Sequence, residues 1–326
     1  MTIASDDRRA AVLLALRSNP TGVSGEHLAV ELGVSRVAVR KHVEALREAG
    51  YGIEARPGEG YRLLSCPDAS IPLEVRPLLT GDFVTRMEGG DVTGSTNDDA
   101  RELAIAGAPE GTVVLARRQT KGRGRLGRLW RSPVGGVYAS VVLRPETELP
   151  DAVVLPLVVG LGVARALEDF GVHAALKWPN DLLAPDGRKL AGVLLEGLSE
   201  GWRVAWVVAG IGVNVHEAPG DVSSVSLDEI GTPGASLAQV AASVLDHVGE
   251  AYQSWKRDGF AQLREEYGTR AWLAGRDVVV SDPLGRVVAS GRAVGIDPQG
   301  RLLVEGPQGT VPVAAGDVTL RQDEAR

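Results

Sequence analysis

The most chemically suggestive stretch of this sequence is QTKGRGRLGRLW, residues 119–130, which combines three arginines with three glycines. Guanidinium groups bind phosphate and carboxylate through paired hydrogen bonds, and glycines let backbone N–H groups come close to an anion. The stretch holds no acidic residue, so we expect Arg123, Arg125 and Arg128 to lack local partners and to enclose a multiply charged ligand. We therefore expect the loop to be mobile when empty and ordered when the ligand is bound.

The glycines of this loop also fit a different pattern. Gly122, Gly124 and Gly127 match G-x-G-x-x-G, the fingerprint of a dinucleotide site. That site requires a helix that begins at the glycines, whereas the residues after Trp130 are RSPVGG, which disfavour a helix. A solvated basic loop is the other alternative, and the tryptophan and flanking strands argue against it. The sequence therefore favours an anion-binding loop.

A second cationic element lies in KWPND and RKLAG, on either side of the turn APDG. A three-residue loop at this turn would place Leu183 opposite Lys189, on the face that carries Lys177, and a two-residue loop would reverse the faces. Both registers are open at this point. Taken alone the element is an ordinary hairpin with a surface lysine, but beside the arginine loop it predicts a second wall of an anion site.

Oxygen-bearing and neutral side chains occur next to both cationic elements. Asn180 and Asp181 carry the oxygen ligands that Mg²⁺ takes alongside phosphate. The motif GSTND at 94–98 precedes a helix, so N-capping explains at least one of its small polar side chains, and the pattern alone favours capping over contact with a polar ligand. The motif GIGVN at 210–214 ends a strand with glycines that permit close approach.

The first 64 residues predict a DNA-binding fold. Helical spacing over 8–17, 24–33 and 34–50, with serine N-caps, gives a helix-turn-helix, and alternating strands around PGEG add a wing. The second helix of such a pair presents its N-terminal side chains to the major groove. The predicted DNA-contacting residues are Ser35, Arg36, Arg40 and Lys41 on that helix and Arg56 on the wing. The alternative is a small helical domain with a solvated charged face.

The remaining elements predict two further domains. Residues 66–80 carry three prolines, which we interpret as a linker, and helix and strand signals then alternate over 81–273 as in a mixed α/β domain, with one long helix over 151–170. Short strands separated by DPLG, DPQG and GPQG predict a small β-barrel over 274–326. With a winged helix-turn-helix over 1–65, the fold class is α+β.

Composition narrows the functions open to this chain. The net charge is −7, but residues 1–64 hold nine Lys or Arg and eight Asp or Glu, so any DNA binding must depend on a local patch. The N-terminus lacks the order of a signal peptide, and the longest apolar run, 152–164, is too short to span a bilayer. A single cysteine fits a reducing compartment, so we expect a cytoplasmic protein. The scattered histidines show no zinc-ligand spacing.

Five motifs in a fixed order make the sequence recognisable. These are GSTN (94–97), QTKGRGRLGRLW (119–130), KWPND (177–181), RKLAG (188–192) and GIGVN (210–214). Together with the winged helix before them and the small barrel after them, they resemble bifunctional biotin–protein ligases that also repress biotin synthesis. The resemblance covers nearly the whole chain and implies a class II synthetase-like central domain of the biotin/lipoate ligase type and an SH3-like barrel.

The resemblance implies roles for individual residues. Implied to bind biotin are Ser95, Thr96, Asn97, Gln119, Gly122, Arg123, Gly124, Arg125, Lys189 and Gly192. Implied to bind ATP or the adenylate are Arg125, Arg128, Trp130, Lys177, Asn180 and Asn214, with Asn180 and Asp181 as Mg²⁺ ligands. Arg123, Arg125 and Lys189 would bracket the biotin carboxylate and the α-phosphate, so they are the implied catalytic residues. A biotin site at GSTN overrides the capping interpretation.

The chemistry implied is a two-step ligation from biotin and MgATP to a lysine of a biotin carboxyl carrier protein. Operator DNA and a homodimer promoted by the adenylate are the other implied partners. Two departures stand out: Leu126 replaces a basic residue found in some members, and SVSL at 224–227 replaces Ala-Thr-Ser-Leu. The first affects loop cohesion or corepressor coupling rather than catalysis. A DNA-binding regulator without catalysis and a lipoate-type ligase are the alternatives.

Overall fold

The structure is a computed structural model that describes residues 5–56, 58–220, 223–231 and 233–320. The chain divides into two compact units, residues 1–68 and 69–326. Parts of three predicted features lie outside the described residues. These are Pro57 of the wing turn, the start of the first domain at 1–4 and the end of the last domain at 321–326.

The smaller unit is the predicted winged helix. Its elements are α1 (Ser5–Ser18), α2 (Gly25–Glu31), α3 (Arg36–Glu48), β1 (Gly52–Arg56) and β2 (Gly60–Ser65). Both predicted N-caps are confirmed, because Ser24 Oγ accepts from the amide of His27 and Ser35 Oγ accepts from the amide of Ala38. The apolar face of α3 is fully buried, and β1 and β2 pair antiparallel as a hairpin.

The larger unit is built on a seven-stranded sheet. Its strands are β3 (Arg86–Thr93), β4 (Thr112–Gln119), β5 (Gly136–Leu143), β6 (Ala175–Lys177), β7 (Asp181–Leu183), β8 (Lys189–Glu200) and β9 (Arg203–Asn214), in the order β3-β4-β5-β9-β8-β7-β6. Its helices are α4 (Pro72–Val75), α5 (Thr96–Ile105), α6 (Leu149–Ala152), α7 (Leu155–Glu168), α8 (Leu237–Asp258) and α9 (Ala261–Thr269). Short 3₁₀ turns lie at Arg76–Leu78, Arg125–Gly127 and Asp228–Ile230.

The two faces of this sheet carry different layers. Because side chains alternate along a strand, Val113, Leu115 and Val141 join the main core with α7 and α8, while Val114 and Val142 point to the opposite face and pack with α5. Helix α5 covers only part of its face. Polar side chains at the start of α5 and small residues of β9 therefore meet on this thinner side.

The predicted long helix over 151–170 is interrupted. Helix α6 ends at Ala152 and α7 begins at Leu155, with Pro156 in its first turn. Proline has no N–H and clashes with the carbonyl four residues earlier, so it ends one helix and is tolerated at the start of the next. Within the described chain, Leu149–Glu168 is the one segment long and apolar enough to cross a membrane, and 61% of that window is buried, as in a core helix.

Part of the predicted linker at 66–80 is folded. Ala69, Ser70 and Val75 are fully buried, α4 and the turn Arg76–Leu78 lie in this stretch, and the backbone of Thr80 donates to Asp246 on α8 at 2.8 Å. Two of its three prolines, Pro72 and Pro77, lie in the first turn of a helical segment, where proline is favoured, and so they do not mark an extended connection. The domain boundaries stay predictions, although the division into two units falls after residue 68.

The predicted C-terminal barrel is a five-stranded antiparallel sheet. Its strands are β10 (Asp277–Ser281), β11 (Val287–Ile296), β12 (Leu302–Gly306), β13 (Gly309–Val313) and β14 (Asp317–Leu320), in the order β13-β12-β11-β10-β14. The indole N–H of Trp178, which follows β6, donates to the carbonyl of Gly300 at 2.9 Å. This buried bond ties the C-terminal sheet to the KWPND motif and brings the start of β14 near the arginine loop.

Candidate active site

A cavity of about 350 Å³ opens on the α5 side of the seven-stranded sheet. Most of the predicted ligand residues line it: Ser95, Thr96, Asn97, Gln119, Arg123, Gly124, Arg125, Arg128, Trp130, Lys177, Asn180, Asp181, Lys189 and Gly192. Gly122 and Asn214, both within the described ranges, are not part of the lining. The Asn214 amide is buried and donates to the carbonyl of Val225 at 3.1 Å, so in this structure it holds the backbone at Val225.

The polar cluster at the start of α5 faces the cavity rather than capping the helix. Ser95 occupies the N-cap position, but its side chain makes no capping hydrogen bond with any described residue, so the capping interpretation is wrong. Thr96 donates from its amide and its hydroxyl to Gln119 Oε1, at 2.8 and 3.1 Å. Ser95, Thr96 and Asn97 are buried and Gln119 is partly buried, which suits recognition of a neutral polar ligand group.

A buried serine that sequence reasoning missed supports this cluster. Ser140 on β5 is fully buried, and its hydroxyl lies 2.8 Å from Thr96 Oγ1 and 2.6 Å from Asn97 Oδ1. Gly210 on β9 packs against the same amide, because a Cβ there would lie 2.1 Å from Asn97 Oδ1. The available sequence signal was Ser140 itself, the one polar residue inside the otherwise apolar strand YASVVL.

The arginine loop has no helix at its glycines. Residues Arg125–Gly127 form one 3₁₀ turn, Leu126 adopts φ 56°, and Arg128 is extended. The dinucleotide alternative is therefore excluded, since no helix N-terminus is available to a pyrophosphate. The loop is closed by backbone bonds instead, from Gly124 N–H to the Arg128 carbonyl at 2.7 Å and from Trp130 N–H to the Gly122 carbonyl at 3.0 Å.

The arginines have no acidic partner within the loop itself, but carboxylates from other elements of the fold pair with them. Arg123 forms a two-pronged ion pair with Asp98, at 2.7 and 2.8 Å. Arg128 pairs with Asp317 of β14, and Arg125 lies 3.8 Å from the same carboxylate. These acids come from positions far away in the sequence, so local spacing could not reveal them.

Arg125 is the least engaged of the three guanidinium groups. It donates to Asn180 Oδ1 at 3.3 Å and to the carbonyl of Gly316 at 3.2 Å, both neutral acceptors at long distances. Its side chain is about one-quarter exposed and lines the cavity. Arg125 is thus the arginine best placed to exchange its present contacts for a ligand anion.

The lysine hairpin adopts the first of the two registers. Leu183 pairs with Lys189 across β7 and β8, and Lys177 pairs with Asp181 across β6 and β7, so both lysines reach the cavity. Lys189 Nζ lies 2.5 Å from Asp181 Oδ1. Its ammonium group is also 5.1 Å from the centre of the Trp130 ring, a distance at which the ring face attracts a cation.

Trp130 lies flat against glycines of the sheet. A Cβ on Gly212 of β9 would lie 2.6 Å from two ring carbons of Trp130, and a Cβ on Gly192 would lie 3.2 Å from a third. At position 212 a side chain would not fit without a shift of the ring, and at position 192 the fit would be tight. The indole N–H is buried against the sheet and has no hydrogen-bond partner among the described residues.

The predicted Mg²⁺ ligands do not form a protein-built metal site. Asp181 is engaged by Lys189, and Asn180 Oδ1 accepts from Arg125 while its amide donates to the carbonyl of Val193 at 2.8 Å. Within the described residues there is no cluster of three or more metal-ligating His, Cys, Asp or Glu side chains. Asn180 and Asp181 as Mg²⁺ ligands therefore stay a prediction.

In the smaller unit, the predicted DNA-contacting residues lie at or near the surface. Arg36, Arg40 and Lys41 are exposed on α3, and Ser35 caps that helix. Arg36 lies 3.3 Å from Glu26, and Arg40 lies 3.1 Å from Glu44. The wing residue Arg56 pairs with glutamates on both sides, at 2.9 and 3.3 Å. These exposed pairs are weak and can yield to phosphates.

Comparisons with known proteins agree with this arrangement. Residues 8–62 match the HTH domain family, residues 89–214 match the biotin/lipoate A/B protein ligase family, and residues 273–321 match the biotin protein ligase C terminal domain. The chain is similar to the bifunctional ligase/repressor BirA of Bacillus subtilis (strain 168), with 36% identity over 311 residues, 91% of this chain and 94% of that protein.

A second relative and a solved structure show the same likeness. The bifunctional ligase/repressor BirA of Escherichia coli (strain K12) is 32% identical over 324 residues, 96% of this chain and 97% of that protein. The biotin protein ligase from Aquifex aeolicus, in complex with biotin and ATP, superposes with a TM-score of 0.64 at 31% identity, over 73% of this chain and 100% of that one. The chain belongs to the biotin–protein ligase family, in its bifunctional ligase/repressor form.

Proposed function

We propose that this protein is a biotin–[acetyl-CoA-carboxylase] ligase that forms biotinyl-5′-AMP from biotin and MgATP and transfers biotin to a carrier lysine. The proposal rests on one observation: two surfaces of different charge line the same cavity. A nearly buried neutral polar cluster lies on one side, and the cationic walls of the arginine loop and lysine hairpin lie on the other. A ligand with a polar uncharged ring at one end and a reacting anion at the other fits both.

The first step needs two anions to be brought together. An oxygen of the biotin carboxylate attacks the α-phosphorus of ATP, the new O–P bond forms, and pyrophosphate leaves. Lys177, Lys189 and Arg125 supply cations beside the cavity that offset the repulsion between carboxylate and phosphate. Both reactants are held in place, so much of the rate gain comes from orientation.

The second step needs no protein nucleophile. The carrier lysine, as the free amine, attacks the acyl carbon of the mixed anhydride, and AMP leaves with the electrons of the broken C–O bond. The amine loses its proton as the amide forms. Closure of the arginine loop over the anhydride excludes water, which would otherwise hydrolyse it.

Mg²⁺ reaches the cavity as part of the substrate MgATP. Hard oxygen ligands from the phosphates hold the ion, and it then reduces the negative charge that ATP brings into the cavity. Asn180 and Asp181 would have to leave their present partners to join it directly. We infer that the protein acts in the cytoplasm, where ATP and carrier protein are present.

Repression of biotin synthesis forms the second half of the proposal. The HTH unit presents exposed cations on α3, and a homodimer with the adenylate bound would place two such helices on a two-fold operator. Gel shifts of operator-containing DNA with and without biotin and ATP test this point. Equal DNA binding in both conditions would reject control by the adenylate.

The experiment that tests the ligase half is biotin-dependent exchange of labelled pyrophosphate into ATP. We expect exchange that requires biotin, and loss of most of it in Lys189→Ala and Arg125→Ala. Exchange supported by lipoate but not biotin would favour a lipoate-type ligase. No exchange with either acid would favour a regulator without catalysis.

A further inference from the structure

Arg123 is held by two carboxylates of the protein. Its two terminal nitrogens lie 2.7 and 2.8 Å from the two oxygens of Asp98, and one of them lies 3.5 Å from Glu196 Oε1. Each of the three side chains is about one-third exposed. A planar guanidinium gripped along one edge by a carboxylate has little freedom to turn toward another anion.

The same two acids connect the arginine loop to the polar cluster of the cavity. Glu196 Oε2 accepts from the Asn97 amide at 2.8 Å, while its other oxygen faces Arg123. Asp98 directly follows Asn97 on α5. A continuous set of contacts therefore runs from buried Ser140 through Asn97 and Glu196 to Arg123.

The carboxylates in contact with Arg123 distinguish it from the other cations of the site. Arg123 faces two carboxylates, and although Asp98 also pairs with Arg101 at 3.0 Å, the charge of Arg123 is largely compensated within the protein. The hydrogen bonds from Arg123 hold the pKa of the Asp98 carboxyl below its usual range, so Asp98 stays ionised at neutral pH. Arg125, by contrast, has only neutral hydrogen-bond acceptors and a carboxylate at 3.8 Å.

We propose that Asp98, supported by Glu196, is a positioning residue that holds the Arg123 guanidinium and thereby keeps the loop at 120–130 closed over the adenylate. Arg123 then serves as the anchor of the loop, in place of the direct contact with the ligand anion that the resemblance implies for its side chain, and Arg125, Lys177 and Lys189 meet that anion. Because Asn97 shares Glu196 with this anchor, biotin bound at the polar cluster stabilises the closed loop. This inference rests on the proposed ligase function.

The test is the isosteric change Asp98→Asn, which keeps the shape but removes the charge. We expect the adenylate to leave the protein about tenfold faster and the KM for biotin to rise severalfold, with kcat for pyrophosphate exchange within about twofold. Asp98→Glu restores the charge and should recover part of the retention. Asp91→Asn is the matched control, since Asp91 pairs with Arg117 at 3.1 Å outside the cavity lining.

A double-mutant cycle shows whether Asp98 acts through Arg123. If it does, Asp98→Asn combined with Arg123→Gln releases the adenylate no faster than Arg123→Gln alone. Additive effects of the two changes, or wild-type release by Asp98→Asn, would overturn the proposal. Wild-type protein that forms no biotin adenylate would instead overturn the ligase function, so the two failures are distinguishable. Thermal unfolding of each variant separates loss of the contact from loss of the fold.

Discussion

Replacing Gly212 by alanine tests the close packing of Trp130 on the sheet. The added methyl carbon would lie 2.6 Å from two carbons of the indole ring and 2.7 Å from its nitrogen, whereas ordinary contacts are 3.4–4 Å. Strand β9 lies between β5 and β8, so its backbone has little room to move. The indole must therefore shift by roughly 1 Å, and it carries the arginine loop with it.

The size of the effect follows from the cost of overpacking. An extra methyl group in a packed site costs about 1–3 kcal/mol, and each 1.4 kcal/mol is about a tenfold change in an equilibrium constant. If Trp130 packs near the adenine, as the resemblance implies, this strain opposes ATP binding directly. We expect Gly212→Ala to raise the KM for ATP by about 5- to 150-fold, with a smaller effect on the KM for biotin.

Biotin-dependent pyrophosphate exchange, measured over a range of ATP concentrations, gives this KM. Gly90→Ala is the control, because a Cβ at Gly90 of β3 meets no atom within 4 Å. A Gly212→Ala protein with wild-type KM for ATP and wild-type thermal stability would refute the reasoning. A lowered Tm with unchanged KM would show that the sheet, and not the loop, absorbs the strain.

Three further outcomes are expected. Ser140→Ala removes a buried hydroxyl beside Thr96 and Asn97, so the KM for biotin should rise about tenfold with little change in kcat. Arg36→Ala should reduce the salt slope of DNA binding by about one, on a duplex selected from a random pool, while Arg86→Ala leaves it unchanged. Glu266 has its pKa lowered by hydrogen bonds from Arg165, so the pair stabilises the protein above the usual glutamate pKa and loses this effect as pH falls through the lowered one. The cost of Glu266→Gln in free energy of unfolding, about 1 kcal/mol at pH 7, should therefore shrink below pH ~4.

Elements with strong periodic signals were predicted well, and short or mixed elements were not. Strand β4, TVVLARRQ, begins with the run of β-branched and apolar residues that predicts a strand. Strand β3, RMEGGDVT, was missed because it is a polar edge strand with two glycines, and it gains its place only by pairing with β4. The interruption before α7 was readable in principle from Pro156, whose preceding residues cannot continue a helix without strain.

The site divides in the same way. The side chains that face the cavity were predicted, whereas the side chains that bind and orient them were not. The residue types favoured an anion site at the two cationic elements, and the resemblance implied most of the residues that line the cavity. Their partners, Asp98, Glu196 and Asp317, come from other elements, and only the fold brings them to the arginines. Capping and ligand binding also use the same residue types, so GSTN could not be assigned from its pattern alone.

The most direct test of the ligase assignment is the intact mass of a purified biotin carboxyl carrier domain after incubation with this protein, biotin and MgATP. We expect a mass increase of one biotinyl group on the carrier lysine, equal release of AMP, and loss of both with Lys189→Ala. An unmodified carrier with the wild-type protein under these conditions would contradict it.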